Sequence, residues 1–238
     1  VSCKFHTVDG MLKFLDWDWP ATGEAFRAAI EADPEDPLCR HWYSLYISTM
    51  TGDYTEPMAQ SDTIMMLDPS GDFKIGRGSL LYFARRNEEL RDLMLETIED
   101  DPSIPWGYDW LGMAYCELED WDNSLSTYFK AFELSDGLVE VGGGLGHALG
   151  LAGEYDLAKQ IADHYSVAAE DHYLPQVQRA FIHIGIGEYD EALRLLEEAY
   201  EARSWFVIFI GIEPWYDPIR KEPRFQELVD QMNYPSSI

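Results

Sequence analysis

A repeating register constrains this chain more than any other feature. Gly78, Gly112 and Gly146 fall 34 residues apart, and Ala180 continues the series by the same step. A second series is Trp19, Tyr54, Asn87, Trp121, Tyr155 and Tyr189, with steps of 35, 33, 34, 34 and 34. A third is Pro34, Pro69 and Pro102, with steps of 35 and 33. Three independent registers that share one period mean a tandem array, in which each unit buries its apolar face only by stacking on its neighbours.

Within each period the pattern is helical. Phe26, Ala29 and Ile30, or Leu193, Leu196 and Ala199, recur at i, i+3 and i+4 spacing, and no segment alternates like a strand for long. Asp33-Pro34, Asp36-Pro37, Asp68-Pro69 and Asp101-Pro102 punctuate the array, because the residue before a proline is pushed out of helical geometry. The expected fold class is all-α, with two antiparallel helices per unit. The glycine series sits in the first helix, where a missing side chain lets the second helix approach. The aromatic series opens the second helix and is expected to plug the space between the two.

Tyr108, Leu111, Gly112 and Tyr115 follow the pattern W-x2-L-G-x2-Y, with Ser124, Tyr128 and Ala131 after them. Gly153-Glu154-Tyr155-Asp156-Leu157-Ala158 and Gly187-Glu188-Tyr189-Asp190-Glu191-Ala192 are nearly the same phrase one period apart. In these residues the chain resembles the tetratricopeptide repeats. That resemblance implies a right-handed α-α superhelix, or solenoid, of about six helix pairs with a C-terminal capping helix. The units are expected at about 3–36, 38–70, 71–104, 105–138, 139–172 and 173–206, giving a solenoid over 1–213. Units depart from the pattern at Pro57, and at Arg85, Asn87 and Leu90. The first is expected to be short, its first helix squeezed into about Thr7 to Leu15.

After the last period, Pro214-Trp215-Tyr216-Asp217-Pro218 begins a proline-rich loop, and 214–238 is expected to be this loop plus the capping helix. Over Glu222 to Met232, Phe225, Leu228, Val229 and Met232 share one helical face. With Asp16-Trp17-Asp18-Trp19-Pro20, this tail is similar to C-terminal repeat arrays of bacterial multidomain signalling proteins. That similarity, and an opening on Val1 in place of Met, lead us to expect a piece detached from a larger parent.

Charge narrows the partners. The chain of 238 residues carries 44 Asp plus Glu against 17 Lys plus Arg, a net charge of -27. Such a surface repels phosphate backbones and anionic head groups, so neither nucleic acid nor a membrane is expected as a partner. The acidity fits either a basic partner steered by a negative field or adaptation to high salt. The field is densest over residues 95–175, where 17 acidic residues face only Lys130 and Lys159. Cys3, Cys39 and Cys116 have no metal or disulfide spacing and are expected as small buried hydrophobes in a reducing, cytoplasmic compartment.

Candidate chemistry is thin. Gly142-Gly143-Gly144-Leu145-Gly146 lacks the Lys-Ser/Thr of a phosphate loop and follows no strand, so it is expected to serve close packing. His164, His172 and His183, with Asp163, Glu170 and Asp171, lack the one-turn spacing of a helical metal pair. Asp100-Asp101 and Glu119-Asp120 sit at turns, as caps do. No enzyme, metal or cofactor is expected.

What remains is the groove. First helices line the concave face in solenoids of this class, which puts Trp42, Tyr46, Ile75, Tyr82, Trp106, Asp109, Met113, Glu140, His147, Phe181 and Ile184 on it. Aromatics with interspersed carboxylates suit a protein or peptide partner with apolar anchors and basic flanks. Self-association, as a homodimer, and a purely structural spacer are the alternatives.

Overall fold

The computed structural model describes residues 2–171 and 174–235. Six antiparallel helix pairs follow one another along the chain. They are α1 (Cys3–Leu15) with α2 (Trp19–Ala32), α3 (Pro37–Thr51) with α4 (Thr55–Leu67), and α5 (Gly71–Phe83) with α6 (Asn87–Asp100). The series continues with α7 (Pro105–Glu117) and α8 (Trp121–Leu134), α9 (Val139–Leu151) and α10 (Tyr155–Asp171), and α11 (Gln176–Gly185) and α12 (Tyr189–Glu201). A segment with two 3-10 turns, Trp205–Phe209 and Pro214–Tyr216, then leads to α13 (Pro223–Gln231). No described residue is in a strand. The architecture is an all-α right-handed superhelix of helix pairs.

The turns explain the register. Between the two helices of each pair one residue takes the left-handed conformation: Trp17, Gly52, Arg85, Glu119, Gly153 and Gly187, with φ of 60°, 63°, 58°, 58°, 88° and 79°. In five of them the following amide reaches back five residues, as in Asp120 N–H to the Tyr115 carbonyl at 2.9 Å and Glu188 N–H to His183 at 2.8 Å. This closure satisfies carbonyls that the helix end would leave bare. Between pairs a different device recurs. Asp33, Asp68 and Asp101 are extended at the C-caps of α2, α4 and α6, with φ of -151°, -149° and -142°. Each carboxylate accepts the amide two residues on: Glu35 at 3.2 Å, Ser70 at 3.0 Å and Ser103 at 2.9 Å. The Asp-Pro pairs therefore end helices from both sides, through the proline and through an Asx turn.

Three expectations need correction. The first unit is not short: α1 starts at Cys3, where Ser2 caps it by accepting Phe5 N–H at 3.4 Å, and Cys3 packs beside Ala29 and Cys39. The aromatic series plugs its units unevenly. Trp19 is buried and Tyr54 and Trp121 partly so, but Tyr155 is 58% and Tyr189 40% exposed. There, neighbouring Ala158 and Ala192 supply the contact instead, both fully buried. Third, a Cβ at Gly78 or Gly112 would meet Met94 or Tyr128 of its own second helix, as expected, but one at Gly146 would strike Ile182 at 2.7 Å. That residue belongs to α11, the first helix of the next pair. The same interface holds Gly150, whose added Cβ would lie 2.4 Å from the Gly185 backbone carbon. The glycine run thus seats α9 and α11 almost backbone to backbone.

The tail departs most from a simple end cap. Phe225, Leu228 and Met232 are buried, as the shared face of α13 predicts, and Arg224 clamps Glu197 of α12 through two bonds of 2.8 Å. The segment before it runs back inside the superhelix. Phe209 stacks on Phe83 of α5 at 5.6 Å, Trp205 meets Trp42 of α3 at 5.8 Å, and Trp215 stacks on His147 of α9 at 4.2 Å. The chain ends then meet: Trp19 Nε1–H donates to the Met232 carbonyl at 2.8 Å, and Arg203 lies over the Trp17 ring at 4.8 Å. Segment 205–219 is a plug, and the array closes on itself around it.

Candidate functional site

Between the plug and the first helices of the pairs lies a half-enclosed cavity of about 440 Å³. Four residues of α7, Trp106, Asp109, Trp110 and Met113, form its floor, since i, i+3, i+4 and i+7 share one helical face. Glu140 and Gly144 of α9, Gln178 and Phe181 of α11, Ser79 and Phe83 of α5, and Leu45 of α3 continue the wall. The plug supplies the far side through Trp205, Phe206, Phe209, Glu213 and Trp215. The lining contains three carboxyl groups and no Lys, Arg or His.

The expected groove residues divide. Trp106, Asp109, Met113, Glu140 and Phe181 line the cavity. Trp42, Tyr82 and His147 lie under the plug, against Trp205, Trp215 and Trp215 respectively, and so do not face an open groove. Tyr46 and Ile184 are buried, Tyr46 donating its hydroxyl to the Trp19 carbonyl at 2.9 Å, while Ile75 is half-buried against the core. The reason is common to all: the tail and neighbouring helices cover what a bare solenoid would present. Sequence reasoning missed the plug's Trp205, Phe206, Phe209, Glu213 and Trp215. Their signal was present as a dense aromatic run without helical spacing, too apolar for a solvent loop.

The buried polar groups differ in how they are satisfied. Glu213 accepts the Tyr82 hydroxyl and the Trp215 amide, the latter at 3.1 Å, yet burial pushes its carboxyl up to about 7. His147 donates Nδ1–H to the Phe181 carbonyl at 2.8 Å, and burial lowers its pKa to about 4, so the ring is neutral. Asp109 has no hydrogen-bond partner among the described residues although only 9% of it is exposed, and burial, followed by the charge of Glu140, raises its pKa to about 7. It is a buried acid aimed into an aromatic cavity.

Elsewhere, the described part of the histidine set does not assemble. His164 is exposed, His183 bonds Glu188 at 2.9 Å, and the side chains of Glu170, Asp171 and His172 lie outside the described residues. Among the described residues one trio could hold a metal: Cys3, Asp36 and Cys39, with donor atoms within 4.8 Å of one another. Spacing along the chain gives no hint of it, because packing of α1 on α3 creates it. Burial, then the neighbouring Cys3, pushes the Cys39 thiol up to about 12, which keeps it protonated. Cys116 is buried as well.

No family model matches the chain. Solved structures do. PilW, described as a widely conserved type IV pilus biogenesis factor, superimposes with a TM-score of 0.64 at 12% identity, over 88% of this chain and 97% of that one. A tetratricopeptide repeat protein from Parabacteroides merdae gives 0.57 at 13% identity, over 97% and 92%. The fold is that of the tetratricopeptide repeat solenoids. A chain of the APC/C hetero-tetramer Cut9-Hcn1 gives 0.66 at 13% identity, and this protein covers 97% of itself and 43% of that chain. Identities this low establish a shared fold alone. No described helix is long and apolar enough to cross a membrane.

Proposed function

We propose that the protein is a protein-interaction module of a cytoplasmic signalling protein, which docks a partner at the mouth of the cavity and not along the whole groove. One observation carries this reading: between the plug and the first helices lies a half-enclosed, aromatic-walled cavity whose lining holds acids and no bases. Trp106, 38% exposed, stands at that opening and is the natural anchor. The net charge of -27 steers a basic segment toward it. Cut9-Hcn1, a hetero-tetramer by its description, supports the use of this fold as a scaffold. Binding is favoured over catalysis because Asp109 has no nucleophile or base in hydrogen-bond reach among the described residues. Selection from a displayed random-peptide library should enrich peptides with Lys or Arg beside an apolar residue, with capture lost in Trp106→Ala. Equal capture of acidic peptides would refute it.

A second reading, self-association, is favoured by a separate feature. Phe5, Val8, Leu12 and Leu15 are 43–59% exposed along one face of α1. Sedimentation velocity should show a concentration-dependent dimer that Leu12→Glu abolishes; a monomer at all concentrations removes this reading.

A further inference from the structure

The cavity has a chemistry more specific than a docking surface. Asp109 is the sharpest clue, because an acid that is nine-tenths buried without a hydrogen bond is destabilising unless something satisfies it. No described residue does so. Aromatic rings line the cavity with it, and the negative face of such a ring attracts a cation and gives nothing to an anion. Glu140 adds a second carboxylate on α9, and the lining offers no cation of its own. The volume of about 440 Å³ is that of a small-ligand site and far exceeds a single water. A neutral apolar ligand would leave Asp109 unmet, and an anion would meet three carboxyls.

We infer that this cavity is a binding site for a protonated amine on an apolar body, its N–H donating to Asp109 while Trp106, Trp110, Phe181 and Trp215 enclose the rest. The inference rests on the docking reading above and names the group that site takes. Such a group has two sources, a free amphiphilic amine or a lysine side chain presented by a partner. The carboxylate form of Asp109 is the binding form. The titratable groups around it are Glu140 of α9, Tyr128 of α8 and, across the cavity lining, Glu213 of the plug; the charge of Glu140 resists its ionisation, while Tyr128, held neutral by burial, adds no charge. An arriving ammonium offsets that resistance and draws the proton off.

The test is calorimetric titration of the full chain with three probes: 2-phenylethylamine, 2-phenylethanol, and a blocked lysine, N-acetyl-lysine methylamide. The amine should bind at least about tenfold more tightly than the alcohol, and Asp109→Asn, which keeps shape and removes charge, should weaken the amine about tenfold or more. Amine affinity should fall as pH drops below 7. Binding of blocked lysine with the same Asp109 dependence points to a partner side chain as the source; binding of 2-phenylethylamine alone points to a free amine. Equal binding of alcohol and amine, no amine binding at millimolar concentration, or full amine affinity in folded Asp109→Asn would overturn the inference. Should Asp109→Asn still capture basic peptides while the wild type binds no amine, the docking reading survives and this one fails. Trp106→Ala, read in parallel, should weaken amine and alcohol alike.

Discussion

At the residue scale the array is maintained partly against local preference. Trp17, Arg85 and Glu119 occupy left-handed turn positions that glycine fills at 52, 153 and 187. A side chain there meets the following carbonyl, which disfavours it by about 1–2 kcal/mol. Glu119 is exposed and has no ion pair among the described residues, so Glu119→Gly should raise unfolding free energy by about 0.5–1 kcal/mol in urea titration. Glu119→Val should lower it; no difference between the two would show that the turn is not under strain. The buried carboxyls give the second residue-scale prediction. Asp109 and Glu213 have folded pKa values of about 7, above their unfolded values near 4. The native state therefore holds protons that the unfolded state has released, and stability is lost as pH rises through 7. His147, lowered to about 4, works in the opposite direction, but only below its unfolded value near 6.5. Between roughly pH 6.5 and 8 the two carboxyls should together lower stability by on the order of 1 kcal/mol, and Glu213→Gln should flatten the profile. A rise over that window would contradict the assignment.

At the scale of elements, the interface between α9 and α11 departs most from a uniform repeat. Gly143, Gly146 and Gly150 let α11 approach until side chains and backbone of one helix fill the missing Cβ positions of the other. Gly150→Ala would place a methyl against the Gly185 carbonyl, which only backbone movement relieves. The expected loss is about 1–3 kcal/mol, measured as a lower urea midpoint. An Ala at Gly52, whose surroundings are open, gives the contrasting case: any loss there reflects its positive φ and not crowding. Helix pairs, turns and α13 were legible in the sequence because each is a local matter of period, proline and apolar face. The glycine run was legible as packing, but not as packing between units, since partner choice depends on superhelical geometry. The cavity was legible only in part. Trp106, Asp109 and Met113 follow from one helical face, whereas Glu213 and Trp215 reach the site through a segment with no period to read. Trp42, Tyr82 and His147 were placed in a groove because nothing local reveals that a tail will cover them.

For the whole molecule, the net charge of -27 sets a balance between solubility and self-repulsion. Many Asp residues are engaged at caps and Asx turns, but the acid excess remains, and salt should relieve it. The melting temperature should rise by several degrees between roughly 0.05 and 2 M KCl if repulsion is the dominant field effect. A flat response would assign the acidity to a basic partner. Closure sets the function proposed here, because the plug walls the cavity on one side and covers Trp42, Tyr82 and His147. It rests on segment 205–219, held by Arg220 to the Gly211 and Glu213 carbonyls at 2.9 and 2.7 Å and by Arg85 to Asp217 at 2.8 Å. Hydrogen exchange read by mass spectrometry on the peptides spanning 205–219 tests this most directly. The account predicts protection of those amides equal to that of α7 and α9. Exchange as fast as in the exposed turns would mean that the groove stands open, and would contradict it.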